Sequence, residues 1–439
     1  MKRPRRRTTV LPLTVFVCVY LLNLEHGLVV PLWRDAALVQ RSATAVRFQT
    51  EEEPLSFNPS LVRPPTTNHT MSACLLVSDD SIKLSEWMAY HYTVLPLGHL
   101  VVAVDPHTVY PERIQAVLEP YQRYLGMNIT LWQNDTWHNI PPDQGWQNGR
   151  ISQPGRKDYA YKVHLRRQNL FAAHCLQELH RRGVQDWVLL TDSDEYLLYN
   201  ARHPATEDPT LYDAQHRGRS VAQIDAARQR NLPLRDQLPI LGQESLASFL
   251  DRHRDHFDRP CLRVPGLALS MFDSHNTTNR NVPTGLNPQH FVTMRHRIAG
   301  NRTGTFSKAL VDLSRVAHVD DLDWTYVQTI HNPNWKLCGD NGASTSGTDY
   351  ISSVLRLNHY VGTYEAYTER KADGRGDHRS VEDWHAKNGR ESKLRAANES
   401  IIPDEGDLRP WLATFVNHVG SVANARYLTW RLAEAYDEA

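Results

Sequence analysis

The chain has 439 residues, of which 41% are hydrophobic, enough to bury a core in one large domain or in two. Its 49 Lys and Arg residues balance 49 Asp and Glu residues, and no basic repeat is interleaved with aromatic residues, which argues against a nucleic-acid partner. The composition also excludes a chain that is disordered throughout or that crosses a membrane many times.

The N-terminus predicts a membrane anchor. Residues 1–7 form a basic tail, and residues 8–24 form an apolar run about as long as the shortest membrane-spanning helix. The positive-inside rule places the tail in the cytosol. A cleaved signal peptide has the same regions and is the alternative, but no small-x-small cleavage site directly follows Leu24. Both interpretations deliver the rest of the chain to the secretory pathway, and we predict a single-pass type II protein of the Golgi membrane, or of another membrane of the secretory pathway, with a luminal domain.

Glycosylation acceptors and cysteines agree with that compartment. The Asn-x-Ser/Thr acceptors are at Asn68, Asn128, Asn134, Asn276, Asn301 and Asn398. The cysteines beyond the apolar run are Cys74, Cys175, Cys261 and Cys338. This even set permits two disulfides in any of three pairings. No CxxC pair occurs, which argues against structural zinc.

Residues 25–71 contain several prolines and no sustained periodicity, which predicts a flexible stem. A folded domain then begins with a strand at 73–77, a helix at 84–93 and a strand at 100–104. Strand, helix and strand in this order indicate a parallel pair joined by a crossover.

Further predicted elements follow the same alternation and lead to a central strand. They are a helix at 111–124, a strand at 128–132, a long loop at 134–157, a helix at 162–181 and the strand at 187–190. Three strand-helix units that lead to one strand are typical of a doubly wound, Rossmann-like nucleotide-binding α/β fold.

The central strand ends in Asp192, Asp194 and Glu195. Ligands of open α/β sheets bind beyond the carboxyl ends of the strands, so this turn is where a metal-bound phosphate substrate would be held. Two carboxylates at i and i+2 favour Mg²⁺ or Mn²⁺ over zinc. Asp321 and Asp323 have the same spacing, but they adjoin Asp320 in a polar segment and are interpreted as a helix cap or a solvated loop.

The region after the motif predicts more strands and a helical end. Residues 200–240 are polar and are interpreted as an irregular insertion. The remaining predicted elements are a helix at 244–252, strands at 261–271, 306–311, 327–330 and 355–360, a helix at 363–371 and an amphipathic helix at 412–435. The predicted domain is therefore 72–370, followed by a helical extension at 371–439.

Seven pieces of the sequence, in order, form a recognisable series. They are Glu86-Trp87 with Tyr90-His91 before Leu100–Asp105, Gln168-Asn169 with Cys175, residues 187–197, Phe306-x-Lys308-Ala309-x-Val311, His331, Asn358-His359-Tyr360, and Lys371 with Arg375-Gly376. Their order and approximate spacing over residues 73–376 resemble glycosyltransferase family 92 and its close family-2-like relatives.

This resemblance implies a GT-A fold with a central mixed sheet in a single large domain. It also implies a hexosyltransferase that uses a nucleotide-sugar donor, a divalent metal (Mn²⁺ or Mg²⁺) bound through the Asp-x-Asp motif, and inversion at the anomeric carbon. UDP-galactose is the leading expectation for the donor, and a glycan or glycoconjugate is the expected acceptor.

Roles follow from the resemblance at matching positions only. Asp105 would contact the nucleoside, while Asp192 and Asp194 would hold the metal and the diphosphate. His359 would complete the metal shell, with His331 as the alternative ligand. These are expectations for the donor half of the site.

The chain also departs from the family pattern. Relatives commonly carry a Lys-Ser pair a few residues after the His-Tyr, where this chain has Thr363-Tyr364. The corresponding phosphate contact would then be either missing or supplied by Lys308 or Lys371. Asp79-Asp80 replace the usual Asn-Glu pair near the first strand.

An inverting enzyme needs a base for the acceptor hydroxyl, commonly a carboxylate. Asp273, at the end of a predicted strand, is the candidate, and its alternative role is that of a turn residue. Glu86-Trp87 are interpreted either as a packing pair or as a donor contact. The competing functional hypothesis is a glycan-binding or scaffolding protein that keeps the fold and has lost catalysis, motivated by Thr363-Tyr364.

Overall fold

The structure is a computed structural model, and its described residues form the body of the chain. All of them belong to one compact unit, Leu55–Ala439. The described ranges are 56–64, 70–133, 159–201, 221–239, 244–257, 259–271, 282–299, 307–323, 353–360 and 410–437, with positions 330, 337, 362, 366–367, 380, 382, 384 and 400–401 between them. The predicted cytosolic tail, the membrane anchor and most of the stem lie outside this description.

Ten strands and eight α-helices occur in the described part of the chain. The strands are β1 (Met71–Val77), β2 (Leu97–Val104), β3 (Asn128–Trp132), β4 (Trp187–Thr191), β5 (Glu195–Tyr199), β6 (Cys261–Met271), β7 (His296–Ala299), β8 (Ser307–Asp312), β9 (Leu355–Tyr360) and β10 (Ser400–Ile401). The helices are α1 (Ser81–Val94), α2 (Pro111–Leu125), α3 (Tyr159–Arg181), α4 (Val221–Arg235), α5 (Leu246–Arg252), α6 (Val292–Arg295), α7 (Pro410–Val419) and α8 (Val422–Asp437).

The first four strands run parallel in the order β3, β2, β1, β4. β8 continues this sheet antiparallel to β4, and the first half of β6 pairs antiparallel with β8. The predicted α/β class with a central mixed sheet is therefore confirmed. Because β1, β2 and β4 are parallel neighbours, their carboxyl ends meet at one edge of the sheet.

The long strand β6 connects this sheet to a second group of strands. Its first half ends at Pro265, which is opposite Ser307 in β8, and from Gly266 onward it pairs in parallel with β9. β5 pairs antiparallel with β9. The chain therefore passes from the first sheet into the second group between β4 and β5, at residues 192–194, the Asp-Ser-Asp turn.

The central strands are buried on both faces, which explains their continuous apolar sequences. In β4, Trp187 and Leu189 pack into the cluster that contains α1, α2, α7 and α8, whereas Val188 and Leu190 pack on the other face. Helix α3 covers that second face, and the Cys74–Cys175 disulfide links it to β1. Cys261 is also disulfide-bonded.

Two predictions for the flanking regions were wrong. The polar segment 200–240 was predicted to be irregular, but it contains α4, whose Ala, Gln and Arg residues favour a helix. The single helix predicted at 412–435 is two helices, since Gly420 between α7 and α8 has a φ of 83°. A Cβ at Gly420 would overlap the backbone carbonyl of Leu61, so glycine also allows the close approach of that segment.

Some elements were missed or fall outside the description. The short strands β5, β7 and β10 and the four-residue helix α6 were not predicted. The predicted strand at 327–330 and helix at 363–371 lie almost entirely outside the described residues. No helix in the described ranges is long and apolar enough to cross a membrane. The predicted anchor at 8–24 lies outside these ranges.

Helix α1 carries the Glu-Trp and Tyr-His pieces of the sequence series, and all of them serve the packing. Trp87 Nε1 donates to the carbonyl of Glu195 at 3.1 Å, and Tyr90 Oη donates to the carbonyl of Leu197 at 2.9 Å. The His91 Nε2 accepts from the amide of Leu197, so its proton is on Nδ1, which donates to the carbonyl of Trp87. These bonds hold β5 against α1.

Glu86 is buried and caps α6. Its carboxylate accepts hydrogen bonds from the amides of Val292 (2.7 Å) and Thr293 (3.0 Å) and from the Thr293 hydroxyl (2.6 Å). Trp411 Nε1 donates to the same hydroxyl at 3.2 Å. Burial raises the pKa of Glu86 to about 7, although its three hydrogen bonds act in the opposite direction.

We predict that Glu86 makes the stability of the protein fall as the pH rises. The folded-state pKa of about 7 exceeds the ordinary value of 4.5, so the folded protein binds more protons between these values and stabilisation is lost as the pH passes 7. Glu86→Gln removes this titration. Urea unfolding at pH 5 and pH 8 should show the stability advantage of the wild type over the variant shrinking by about 1–3 kcal/mol. An equal advantage at both pH values would contradict the assignment.

Candidate functional site

The Asp-Ser-Asp turn is fixed by its backbone and by its central serine. The amide of Glu195 donates to the carbonyl of Asp192 at 3.2 Å, which closes the turn. The hydroxyl of Ser193 donates to Asp80 Oδ2 at 3.0 Å, and the amide of Tyr360 in β9 donates to the carbonyl of Asp194 at 2.9 Å. The turn is thus attached to the ends of β1 and β9.

A buried lysine links the start of the turn to the start of β5. The Lys308 ammonium, on β8, contacts the carboxylate of Asp192 and lies 2.9 Å from Glu195 Oε2. Its side chain is fully buried, which by itself lowers the pKa, but the two carboxylates outweigh burial and raise the pKa above its usual range. Lys308 is therefore charged, and it neutralises carboxylates at the site.

Glu195 belongs to the framework of the turn. Its Oε2 accepts from the Thr191 hydroxyl at 3.2 Å and from the amide of Asp192 at 3.1 Å. Burial raises its pKa, and the Lys308 charge opposes that rise. Glu195 is 2% exposed, so it supports the turn from its buried side and does not face solvent.

The open side of the turn carries Asp194 and His359. The pairing register of β5 and β9 sets Glu195 opposite His359, which brings the imidazole beside the preceding residue. His359 Nε2 lies 3.7 Å from Asp194 Oδ1, and Lys83 Nζ lies 3.0 Å from Asp194 Oδ2. The side chains of Asp194 and His359 are 23% and 36% exposed, so both are accessible to a ligand. The sequence resemblance predicted this pair, and the structure brings it together.

Asp105 follows β2 at the same sheet edge and is engaged with α3. Its carboxylate pairs with Arg167 at 3.3 Å and with His164 at 3.6 Å, and it accepts from the amide of His107 at 2.9 Å. Burial raises the pKa of Asp105, but the hydrogen bond of His164 and the charge of Arg167 lower it to about 2. Asp105 is ionised and orders this face of α3, and its contact with a nucleoside stays a prediction.

Arg167 and Gln168 are site residues that the sequence reasoning did not assign to this edge. Gln168 Nε2 donates to Asp192 Oδ1 at 2.9 Å. His164, Arg167 and Gln168 are three and four residues apart, which places them on one face of a helix, toward the strand ends. That spacing was the available signal in the sequence.

Asp79 has a structural role just after β1. It adopts a positive φ of 45°, and its Oδ1 accepts from the amides of Val109 (2.8 Å) and Tyr110 (3.1 Å). The carboxylate therefore orders the loop after β2. Asp79 and Asp80, which replace the usual Asn-Glu pair, thus have definite partners at this edge.

The turn fits a metal only in part. Among the described residues, no group of three or more His, Cys, Asp or Glu side chains is placed to hold a metal ion. Asp194 and His359 nevertheless offer an oxygen and a nitrogen on an accessible face. Mg²⁺ and related ions are commonly held by one or two carboxylates plus substrate phosphates. Asp194 and His359 fit such a partial shell, whereas the carboxylate of Asp192 contacts Lys308 and Gln168.

Several predicted site residues lie outside the described part of the chain. These are Asp273, the candidate base, Lys371, the candidate phosphate contact, and His331, the alternative metal ligand. Their roles stay predictions. The comparison motif Asp321-Leu322-Asp323 is described, and Asp321 lies in the 3₁₀ helix Val319–Leu322 with Asp323 as its C-cap, as its cap interpretation predicted.

We predict that Lys308→Met lowers the free energy of unfolding by about 3–5 kcal/mol, because it leaves the buried Glu195 without its positive partner. The measurement is equilibrium unfolding in urea. The double variant Lys308→Met/Glu195→Gln removes both charges and should recover part of the loss. A single variant as stable as the wild type would show that this ion pair does not hold the turn.

Comparisons with known proteins leave the family undetermined. No family model matches the chain, and no curated protein matches it. Among solved structures, the chain has a likeness to the mannosyltransferase Ktr4p from S. cerevisiae, with 9% sequence identity over 71% of this chain and 80% of that one and a TM-score of 0.24. At this level the likeness carries no functional argument. The resemblance to glycosyltransferase family 92 therefore rests on its motifs.

Proposed function

We propose that this protein is a glycosyltransferase that binds a nucleotide-sugar donor at the Asp-Ser-Asp turn. The observation that carries the proposal is the position of Asp194 and His359. They lie together on the accessible side of a turn that directly follows the central parallel strand. Open α/β sheets bind nucleotides at this edge.

The residues of the turn have different proposed roles. Lys308 and Glu195 fix the turn from the buried side, and Gln168 orients the carboxylate of Asp192. Asp194 and His359 face the donor. Mn²⁺ or Mg²⁺, when bound by this pair, would neutralise the negative charge that develops on the diphosphate leaving group. The proposed donor-side surface is thus built on elements that pack in the core of the fold.

The finer parts of the proposal come from the sequence. They are UDP-galactose as the donor, a glycan or glycoconjugate as the acceptor, inversion at the anomeric carbon, Asp273 as the base and a Golgi membrane as the location. Asp105 and Lys371 are the proposed donor contacts besides the turn, and Asp192, Asp194 and His359 the proposed metal ligands. Each is a proposal in its own right, separate from the proposed class of reaction. Lys308, which the sequence also suggested as a phosphate contact, is buried against Asp192 and Glu195 and supports the turn instead.

We predict that Asp194→Asn reduces the release of nucleoside diphosphate from the preferred nucleotide sugar by at least about a hundredfold, since it removes the charge that faces the ligand. The assay is diphosphate release from a panel of nucleotide sugars with Mn²⁺ present. Asp323→Asn is the matched control, because it changes the second carboxylate of the other Asp-x-Asp motif, and Asp323 caps its 3₁₀ helix through its backbone N–H and not through this carboxylate. The control should release diphosphate at the wild-type rate.

Two outcomes would overturn the proposal. Wild-type turnover in Asp194→Asn would show that the turn does not hold the donor. A wild-type protein that releases no diphosphate from any donor, and binds a glycan but no nucleotide sugar in calorimetry, would favour the non-catalytic glycan-binding alternative.

A further inference from the structure

Lys83 places a second buried ammonium at the Asp-Ser-Asp turn. It lies in the first turn of α1, and its side chain is 4% exposed. An ammonium group has three N–H donors, and within the described residues this one donates a single hydrogen bond, to Asp194 Oδ2 at 3.0 Å. Burying a charge is unfavourable unless it is well paired. A second anionic partner at this position would therefore be favourable.

The side chain of Lys83 is held in place by a glycine. A Cβ at Gly362 would come within 2.9 Å of Lys83 Cε and 3.6 Å of its Nζ, so a larger residue there would require the end of the lysine side chain to shift. Gly362 has a φ of 94°, which favours glycine as well. Trp384 Nε1 donates to the carbonyl of Gly362 at 3.1 Å, and Trp384 is itself buried. The lysine is thus packed against an ordered part of the fold.

Asp194 is the neighbour that Lys83 and His359 share. Its Oδ1 is directed to His359 and its Oδ2 to Lys83. A diphosphate bound against Asp194 and His359 would therefore lie next to the ammonium group of Lys83. Lys308 differs, because it is fully buried and already pairs with two carboxylates.

We propose that Lys83 binds the diphosphate of the nucleotide donor through N–H groups that Asp194 does not use. The same lysine orients Asp194 toward His359. This assignment rests on the proposed function, and it supplies a cation in a chain that has Thr363-Tyr364 where a Lys-Ser pair was expected. Gly362, which packs on Lys83, directly precedes Thr363 in the sequence.

The experiment compares nucleoside diphosphates with their nucleosides. Calorimetry measures UDP, GDP, uridine and guanosine against the full chain, with Mn²⁺ and separately with EDTA. Lys83→Met should weaken the affinity for the diphosphate that the wild type binds by about 10- to 100-fold, as expected for the loss of a charged hydrogen bond. Its affinity for the matching nucleoside should not change. Lys83→Arg should keep most of the affinity.

The control and the contradicting outcomes separate this inference from the proposed function. Arg123→Gln removes a positive charge from the exposed face of α2, where the side chain is 66% exposed, and should bind like the wild type. If the wild type binds neither diphosphate, the proposed function fails. If it binds one and Lys83→Met binds it equally, only the inference fails. An equal loss of affinity for the nucleoside and for the diphosphate would assign Lys83 a purely structural role. If Lys83→Met does not fold, Lys83→Gln replaces it in the experiment.

Discussion

The structure of the site depends on one buried charge cluster. Lys308 joins Asp192, the first residue of the turn, to Glu195, the first residue of the next strand. A charged lysine without exposed surface is tolerable only when carboxylates compensate it. The pairing therefore restricts the conformation of the short segment between β4 and β5, and through it the direction of Asp194.

This constraint operates at the junction of two groups of strands. β4 ends the parallel series and β5 begins beside β9, so the turn receives side chains from both. Asp80 follows β1, and Lys83 lies at the start of α1. Gln168 comes from α3 and His359 from β9. These segments are also held by contacts outside the site. In α1, for example, Trp87 and Tyr90 donate hydrogen bonds to the backbone of β5.

The sequence predicted the framework well, because β1 and β4 are buried on both faces and therefore have continuous apolar sequences, which are easily told from the helical segments between them. It also predicted the meeting of Asp194 and His359, through a resemblance and not through spacing. It could not predict the lysine partners, since Lys83 and Lys308 are far from residues 192–195 in the chain. The pairing of β8 with β4 brings Lys308 to the turn, and the position of α1 after β1 brings Lys83 there. The prediction missed α4 because its segment is polar. It joined α7 and α8 into one helix because the apolar periodicity continues across Gly420.

The central claim is that the Asp-Ser-Asp turn, with Lys83 and His359 beside it, is where a nucleoside diphosphate binds. Hydrogen–deuterium exchange of the full chain, with and without saturating UDP or GDP and Mn²⁺, tests this claim most directly. We expect slower exchange in peptides that cover residues 187–199 and 355–360 and the first turn of α1. Protection confined to other parts of the chain, while the nucleotide is bound, would contradict the claim.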